Sequence, residues 1–200
     1  MTSSETTKKL IDFIEKSPSV FHTAETIKGM LLGNNFSELQ ENERWNITTG
    51  GNYFVTRNNS SLIAFSIPEN NLAGMHIIAS HSDSPTFKIK ENPEIEADHH
   101  YIKLNVERYG GMLCAPWLDR PLSIAGRVIF KDDTINKFQS KLININKDLV
   151  LIPNLAIHMN RDANNGYSYN PQKDLLPLYG NLSSRALRDL SLKLWQRLQG

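Results

Sequence analysis

The chain has one cysteine in 200 residues, no two adjacent glutamates, and no glutamate at all after Glu107. A single thiol closes no internal disulfide, so no disulfide framework holds this fold. Cys114 stands between Leu113 and Ala115 and reads as a small buried hydrophobe, not as a nucleophile. No apolar run approaches the length of a membrane-spanning helix. The start, Met1-Thr2-Ser3-Ser4-Glu5, lacks the basic and then hydrophobic pattern of a secretory signal, so a cytoplasmic location without a membrane partner is expected. No Gly-rich loop has phosphate-binding spacing, and Tyr109-Gly110-Gly111 reads as a tight turn. Ser82 and Ser84 flank Asp83, but no Gly-X-Ser-X-Gly elbow supports a serine hydrolase. Internal repeats and low-complexity segments are also missing.

Hydrophobic residues make up 40% of the sequence, enough to bury a core, and the net charge is +1. The halves differ. Residues 1–107 carry 9 Lys and Arg against 14 Asp and Glu, a balance of −5, and residues 108–200 carry 13 against 7, a balance of +6. The cations of the second half alternate with apolar residues and form no stripe with interleaved aromatics, which argues against a nucleic-acid partner.

Met75-His76-Ile77-Ile78-Ala79-Ser80-His81-Ser82-Asp83-Ser84-Pro85 is the richest stretch. Small and β-branched residues before His81 suit a buried strand, and Ser82, Ser84 and Pro85 end it. His81 and Asp83 are therefore expected at the strand's C-terminal mouth, where α/β folds bind ligands. Spaced i and i+2, they point the same way in an extended chain. A histidine that gives one ring nitrogen to a metal needs its other N–H held, and a carboxylate is a common holder. By itself His-X-Asp is a weak pattern, since most such pairs are turn residues bonded to local backbone.

The remaining texture is coarser. Ser3 or Ser4 caps a first helix with Leu10, Phe13 and Ile14 at helical spacing, ending before Ser17-Pro18; a second helix fits Thr23 to Leu32, stopped by Gly33-Asn34-Asn35. From Tyr53 to Arg57 and Ser61 to Ile67 the period is two, a hairpin around Asn58-Asn59-Ser60. Beyond Pro93, Glu94 to Val106 and Arg127 to Ile135 alternate, with Lys131-Asp132-Asp133 as a turn and a late helix over Leu182 to Leu198. Helices followed by strands that run into the His-X-Asp turn indicate an α/β sandwich, with a β-rich second unit after it.

Three further motifs stand in order with His81-Ser82-Asp83: Asp12-Phe13-Ile14-Glu15-Lys16-Ser17-Pro18-Ser19-Val20-Phe21-His22 before it, then Arg108 to Leu113 with Trp117 to Val128, then Pro153-Asn154-Leu155-Ala156-Ile157-His158-Met159. Together they resemble the M18 family of zinc aminopeptidases, the aspartyl aminopeptidase group, collinearly from about residue 8 to about residue 180.

The resemblance implies an α/β fold: the first part of a zinc-exopeptidase-like sandwich over residues 1–93, followed by an inserted β-rich dimerisation domain over 94–200. It implies a peptide substrate, a homo-oligomer, and hydrolysis at a free N-terminus by two Zn2+ ions that activate a water. His81 is then a zinc ligand, Asp83 the active-site carboxylate that orients its ring, and His158 a second zinc-site residue or a donor to substrate, in its own or a neighbouring subunit. On the residues alone, His158 is a histidine at the end of an apolar run where a loop begins, which a structural role would also suit. His76, His99 and His100 have no such support. The family's bridging carboxylate, further ligands and general-base glutamate belong to a downstream half that includes a Glu-Glu pair. None is present here, so the chain reads as an N-terminal portion, inactive alone. The alternative is a non-catalytic fragment that serves as a binding or dimerisation module.

Overall fold

The computed structural model describes residues 3–70, 74–132 and 137–181. They divide between two compact units: the first comprises Met1–Ser84 with Ala125–Asn144, the second Pro85–Ile124 with Ile145–Gly200. The expected helix over Leu182 to Leu198 lies outside the described residues. The mixture of helices and sheets accords with the expected partial α/β fold.

The first unit opens with two helices, α1 (Ser3–Glu15) and α2 (Val20–Gly33). Helix α2 starts three residues before the expected Thr23 because Ser19, extended at φ −146 and ψ 162, turns its hydroxyl oxygen to the His22 amide. At the other end the Asn34 amide donates to the Leu31 and Leu32 carbonyls, and Asn35 takes the left-handed conformation, φ 62, that ends the helix. Asn supplies the positive φ here, not Gly33. Helix α2 buries Thr23 and Ala24.

Strands β1 (Ser37–Leu39), β2 (Asn52–Arg57) and β3 (Ser61–Ser66) form a sheet in that order, β1 parallel and β3 antiparallel to β2. Asn58 and Asn59, at φ 53 and 51, close the expected hairpin, and the Ser60 amide donates to the Arg57 carbonyl. Asparagine tolerates this region better than most L-residues. Phe54 is fully buried on one face. On the other, Tyr53 lies opposite Phe65 in the ladder with ring centroids 5.8 Å apart, and Trp45 packs on Phe65 at 6.3 Å. Any side chain at Gly51 would collide with the Tyr53 ring.

The antiparallel pair β7 (Ala125–Asp132) and β8 (Lys137–Asn144) groups with this first unit, although the sequence reading placed 94–200 in one β-rich domain. Arg127 supplies the physical reason. Its guanidinium lies 4.1 Å from the centroid of the Phe21 ring and donates to the Asn58 carbonyl at 2.8 Å and to Asn58 Oδ1 at 3.1 Å. One side chain thus joins the strand pair to the start of α2 and to the β2–β3 turn. Lys131 and Asp132, expected in a turn, continue β7.

In the second unit β4 (Thr86–Ala97), β5 (Tyr101–Tyr109), β6 (Pro121–Leu122), β9 (Val150–Leu151) and β10 (Leu178–Asn181) form an antiparallel sheet of order β4-β5-β10-β9-β6. Asp98 and His99, both at positive φ, turn β4 into β5. Alternation on β5 sends Ile102, Leu104 and Val106 to one face, where they pack with Val150, Leu176 and Tyr179. The β4–β5 register slips between Ile89 and Glu94, a stretch containing Pro93, and there Asn105 Nδ2 donates to the Asn92 carbonyl.

His22 supplies a pH test of the first unit. Half-buried at the start of α2 and hydrogen-bonded through Nδ1 to Ser19 Oγ at 2.7 Å, its pKa is lowered by burial. The unfolded chain therefore binds the proton more readily, so stability holds above the ordinary imidazole pKa and is lost as pH falls below it. The thermal midpoint should drop between pH 7.5 and 5.5, and His22→Asn should flatten that drop; an equal drop in both proteins would remove His22 as its source.

Candidate functional site

The segment that carries His81 is not the buried strand expected. Residues 74–85 have no regular secondary structure, and among the described residues 74–80 pair with no strand. Ile77 is 84% exposed and Ile78 98%, with Met75 also in solvent. A strand exists only where its backbone groups find a ladder, and β3, the edge of the first sheet, does not pair with this run. At its far end the run is anchored by Ser82, whose hydroxyl donates to the Ser60 carbonyl at 3.1 Å.

His81 and Asp83 come together in that turn. The side chain of His81 is 79% exposed; its Nδ1 lies 2.6 Å from the Asp83 carbonyl oxygen and 3.3 Å from Asp83 Oδ1. A carbonyl only accepts, so this contact favours the proton on Nδ1 and leaves the lone pair on Nε2. That is the tautomer in which a histidine binds metal through Nε2. The two residues lie side by side, with backbone, not the expected carboxylate, making the shorter contact.

His158 belongs to the second unit, on an exposed turn. The Ala156 carbonyl accepts from the Met159 and Asn160 amides at 2.8 and 3.2 Å and so closes the turn around His158. Leu155, Ile157 and Met159 beside it are exposed. The structure also brings in Asp119, which the sequence reading left without a role. In the left-handed conformation at φ 54, it accepts the Asn154 amide on Oδ1 at 2.8 Å. Its signal was present as an acidic residue ahead of Arg120-Pro121, but nothing in spacing links position 119 to position 154.

Among the described residues no three His, Cys, Asp or Glu side chains gather into a metal-binding group. His99 pairs with Glu96 at 3.2 Å on the β4–β5 turn, in keeping with a structural reading. Cys114 lies within 3.5 Å of the Arg108 guanidinium. Among the described residues no helix is long and apolar enough to cross a membrane.

Comparison with known proteins places the chain in a family. The family model described as aminopeptidase I zinc metalloprotease (M18) matches residues 13–191. A probable M18 family aminopeptidase 2 of Clostridium acetobutylicum is 50% identical over 183 residues, which cover 90% of this chain and 42% of that protein. Of the solved structures, an Ape4 and Nbr1 complex superposes with a TM-score of 0.83 at 36% identity, covering 92% of this chain and 35% of that one. The yeast mApe1 dodecamer superposes with a TM-score of 0.72 at 29% identity over 86% of this chain and 37% of its own. The chain thus spans about two fifths of the length of the curated relative it matches.

The geometry at His81 predicts that Asp83→Ala keeps the Nδ1–H tautomer, because the backbone carbonyl survives the substitution. Imidazole 15N shifts at neutral pH should be those of the wild type; a switch to the Nε2–H form would show that the carboxylate holds the ring. The exposed run generates a second expectation. The isolated chain should self-associate in sedimentation at micromolar concentration, and Ile77→Ser with Ile78→Ser should reduce that association; a monomeric wild type would contradict it.

Proposed function

The chain belongs to the M18 family of aminopeptidases, and on that footing we propose that it forms the N-terminal part of a zinc-dependent enzyme that removes the first residue of a peptide. The observation that carries the reading is the contact of His81 Nδ1 with the Asp83 carbonyl on an exposed side chain, which suits a ring that offers Nε2. These residues fit one zinc ligand with its support. When two zinc ions are bound in such a site they lower the pKa of a water, polarise the scissile carbonyl and take up the substrate amine.

His81 holds metal through Nε2 in this reading, and Asp83 orients the ring while its negative charge favours the cation. His158 is a second zinc-site residue or donates a hydrogen bond to substrate, and its exposed turn with apolar flanks suits reaching into a site. The remaining ligands and the general base come from the part of the family's length that this chain does not span, so the 200 residues alone do not turn over substrate. The β-rich stretch from about residue 94 onward is the dimerisation portion, and the assembly is a homo-oligomer; the dodecameric neighbour supports the oligomer.

Zinc content and hydrolysis of amino-acid p-nitroanilides test this. In the active polypeptide that carries this chain, His81→Ala should abolish turnover and lower zinc content with the fold intact; near-normal turnover at saturating zinc would sink the assignment. His158→Ala should cut turnover by roughly 10²- to 10³-fold with zinc unchanged if it donates to substrate, the scale of removing one oxyanion donor, and should release zinc if it is a ligand. Restored activity on mixing His81→Ala with His158→Ala subunits would place His158 across a subunit boundary. If every form, including one that carries the family's downstream half, lacks hydrolysis and tight zinc, the chain is a binding or dimerisation module.

A further inference from the structure

The turn that carries His158 hangs from a short framework within the second unit. Trp117 packs edge-on against Phe87, ring centroids 5.1 Å apart and planes at 85°, and Phe87 itself packs on the sheet core. Leu118 bridges in parallel to Ile152, which is fully buried, and the Asp119 amide donates to the Ile152 carbonyl at 2.9 Å. Asp119 then turns left-handed, at φ 54, and its Oδ1 receives the Asn154 amide at 2.8 Å. Asn154 Oδ1 accepts the Leu155 amide at 2.9 Å, and the Ala156 carbonyl closes the turn around His158.

These bonds form a relay: a core aromatic pair sets Trp117, a backbone bridge sets Asp119, and the Asp119 carboxylate fixes the exit of the chain from its buried anchor at Ile152 toward His158. Pro153 between the two has no amide to donate. Asn154 is therefore the first residue after Ile152 whose N–H can fix the loop's direction, and Asp119 receives it. A non-glycine residue in the left-handed region is strained, and here the strained conformation is the one that makes both bonds.

We propose that Asp119 is a positioning residue for His158: through its paired bonds to Ile152 and Asn154 it sets where the exposed His158 turn stands. The inference deepens the function proposed above and, as far as catalysis goes, rests on it.

Three substitutions separate positioning from plain stability. Asp119→Gly relieves the left-handed strain but deletes the acceptor, Asp119→Ala deletes the acceptor and keeps the strain, and Asp119→Asn keeps both the acceptor oxygen and the conformational tolerance. On the chain itself, exchange of the Asn154 and Leu155 amides should quicken by roughly tenfold in the Gly and Ala variants, about the factor for one hydrogen bond. The Gly variant, relieved of the left-handed strain, should lose less in thermal midpoint than the Ala variant. The Asn variant should restore wild-type exchange. The His158 ring resonances should broaden or shift in Gly and Ala alone. In an active form of the enzyme, Asp119→Gly should lower kcat, by up to about 100-fold if the histidine moves by an ångström, with little change in KM. Unchanged exchange at Asn154 in the Gly variant, or an Asn variant as impaired as Ala, would overturn the proposal. If exchange and His158 signals respond as expected but turnover ignores both Asp119→Gly and His158→Ala, Asp119 still positions the turn and it is the catalytic reading of His158 that fails.

Discussion

A strand is stable only if its backbone N–H and C=O groups find partners, and that constraint sorts this chain. Strand β5 pairs with β4 on one side and β10 on the other, so Ile102, Leu104 and Val106 can be buried without leaving polar backbone unsatisfied. The run before His81 is as apolar, yet among the described residues it pairs with no strand, and Ile77 and Ile78 lie in solvent. Hydrophobicity proposes burial; the ladder decides whether a strand can deliver it.

Chain order and spatial order also part company. The segment from Ala125 to Asn144 interrupts the second unit in sequence and belongs to the first in space. Arg127 is one of the contacts that tie the two together, stacking on Phe21 and donating to the Asn58 carbonyl. Arginine suits both tasks because its planar guanidinium offers a face to an aromatic ring while its edge donates hydrogen bonds. The β2–β3 turn that exposes the Asn58 carbonyl relies on two consecutive asparagines at positive φ, so local turn chemistry prepares the acceptor that a distant strand uses.

At the candidate site, backbone again does what a side chain was expected to do. The Asp83 carbonyl lies 2.6 Å from His81 Nδ1, closer than the carboxylate oxygen at 3.3 Å, and favours the proton on Nδ1. The His158 turn is governed in parallel fashion, by backbone amides gathered onto Asp119 and the Ala156 carbonyl. Both histidines are exposed on short turns, and the chemistry open to them is set by main-chain hydrogen bonds two or three residues away.

Sequence alone determined the features that depend on neighbours along the chain. The helix stop at Gly33-Asn34-Asn35, the Asn58-Asn59 hairpin, the alternation of β5 and the closeness of His81 to Asp83 all follow from spacing and local bonding, and four ordered motifs pointed to the M18 family. Tertiary structure alone decided what depends on partners far away in sequence. Whether 74–80 becomes a strand rests on a ladder that composition does not specify. That 125–144 groups with the first unit rests on contacts such as that of Arg127 with Phe21, and that Asp119 steadies the His158 turn rests on a bond across 35 residues. Side-chain periodicity records which face of an element is apolar; it carries no information about which distant backbone group will complete a hydrogen bond.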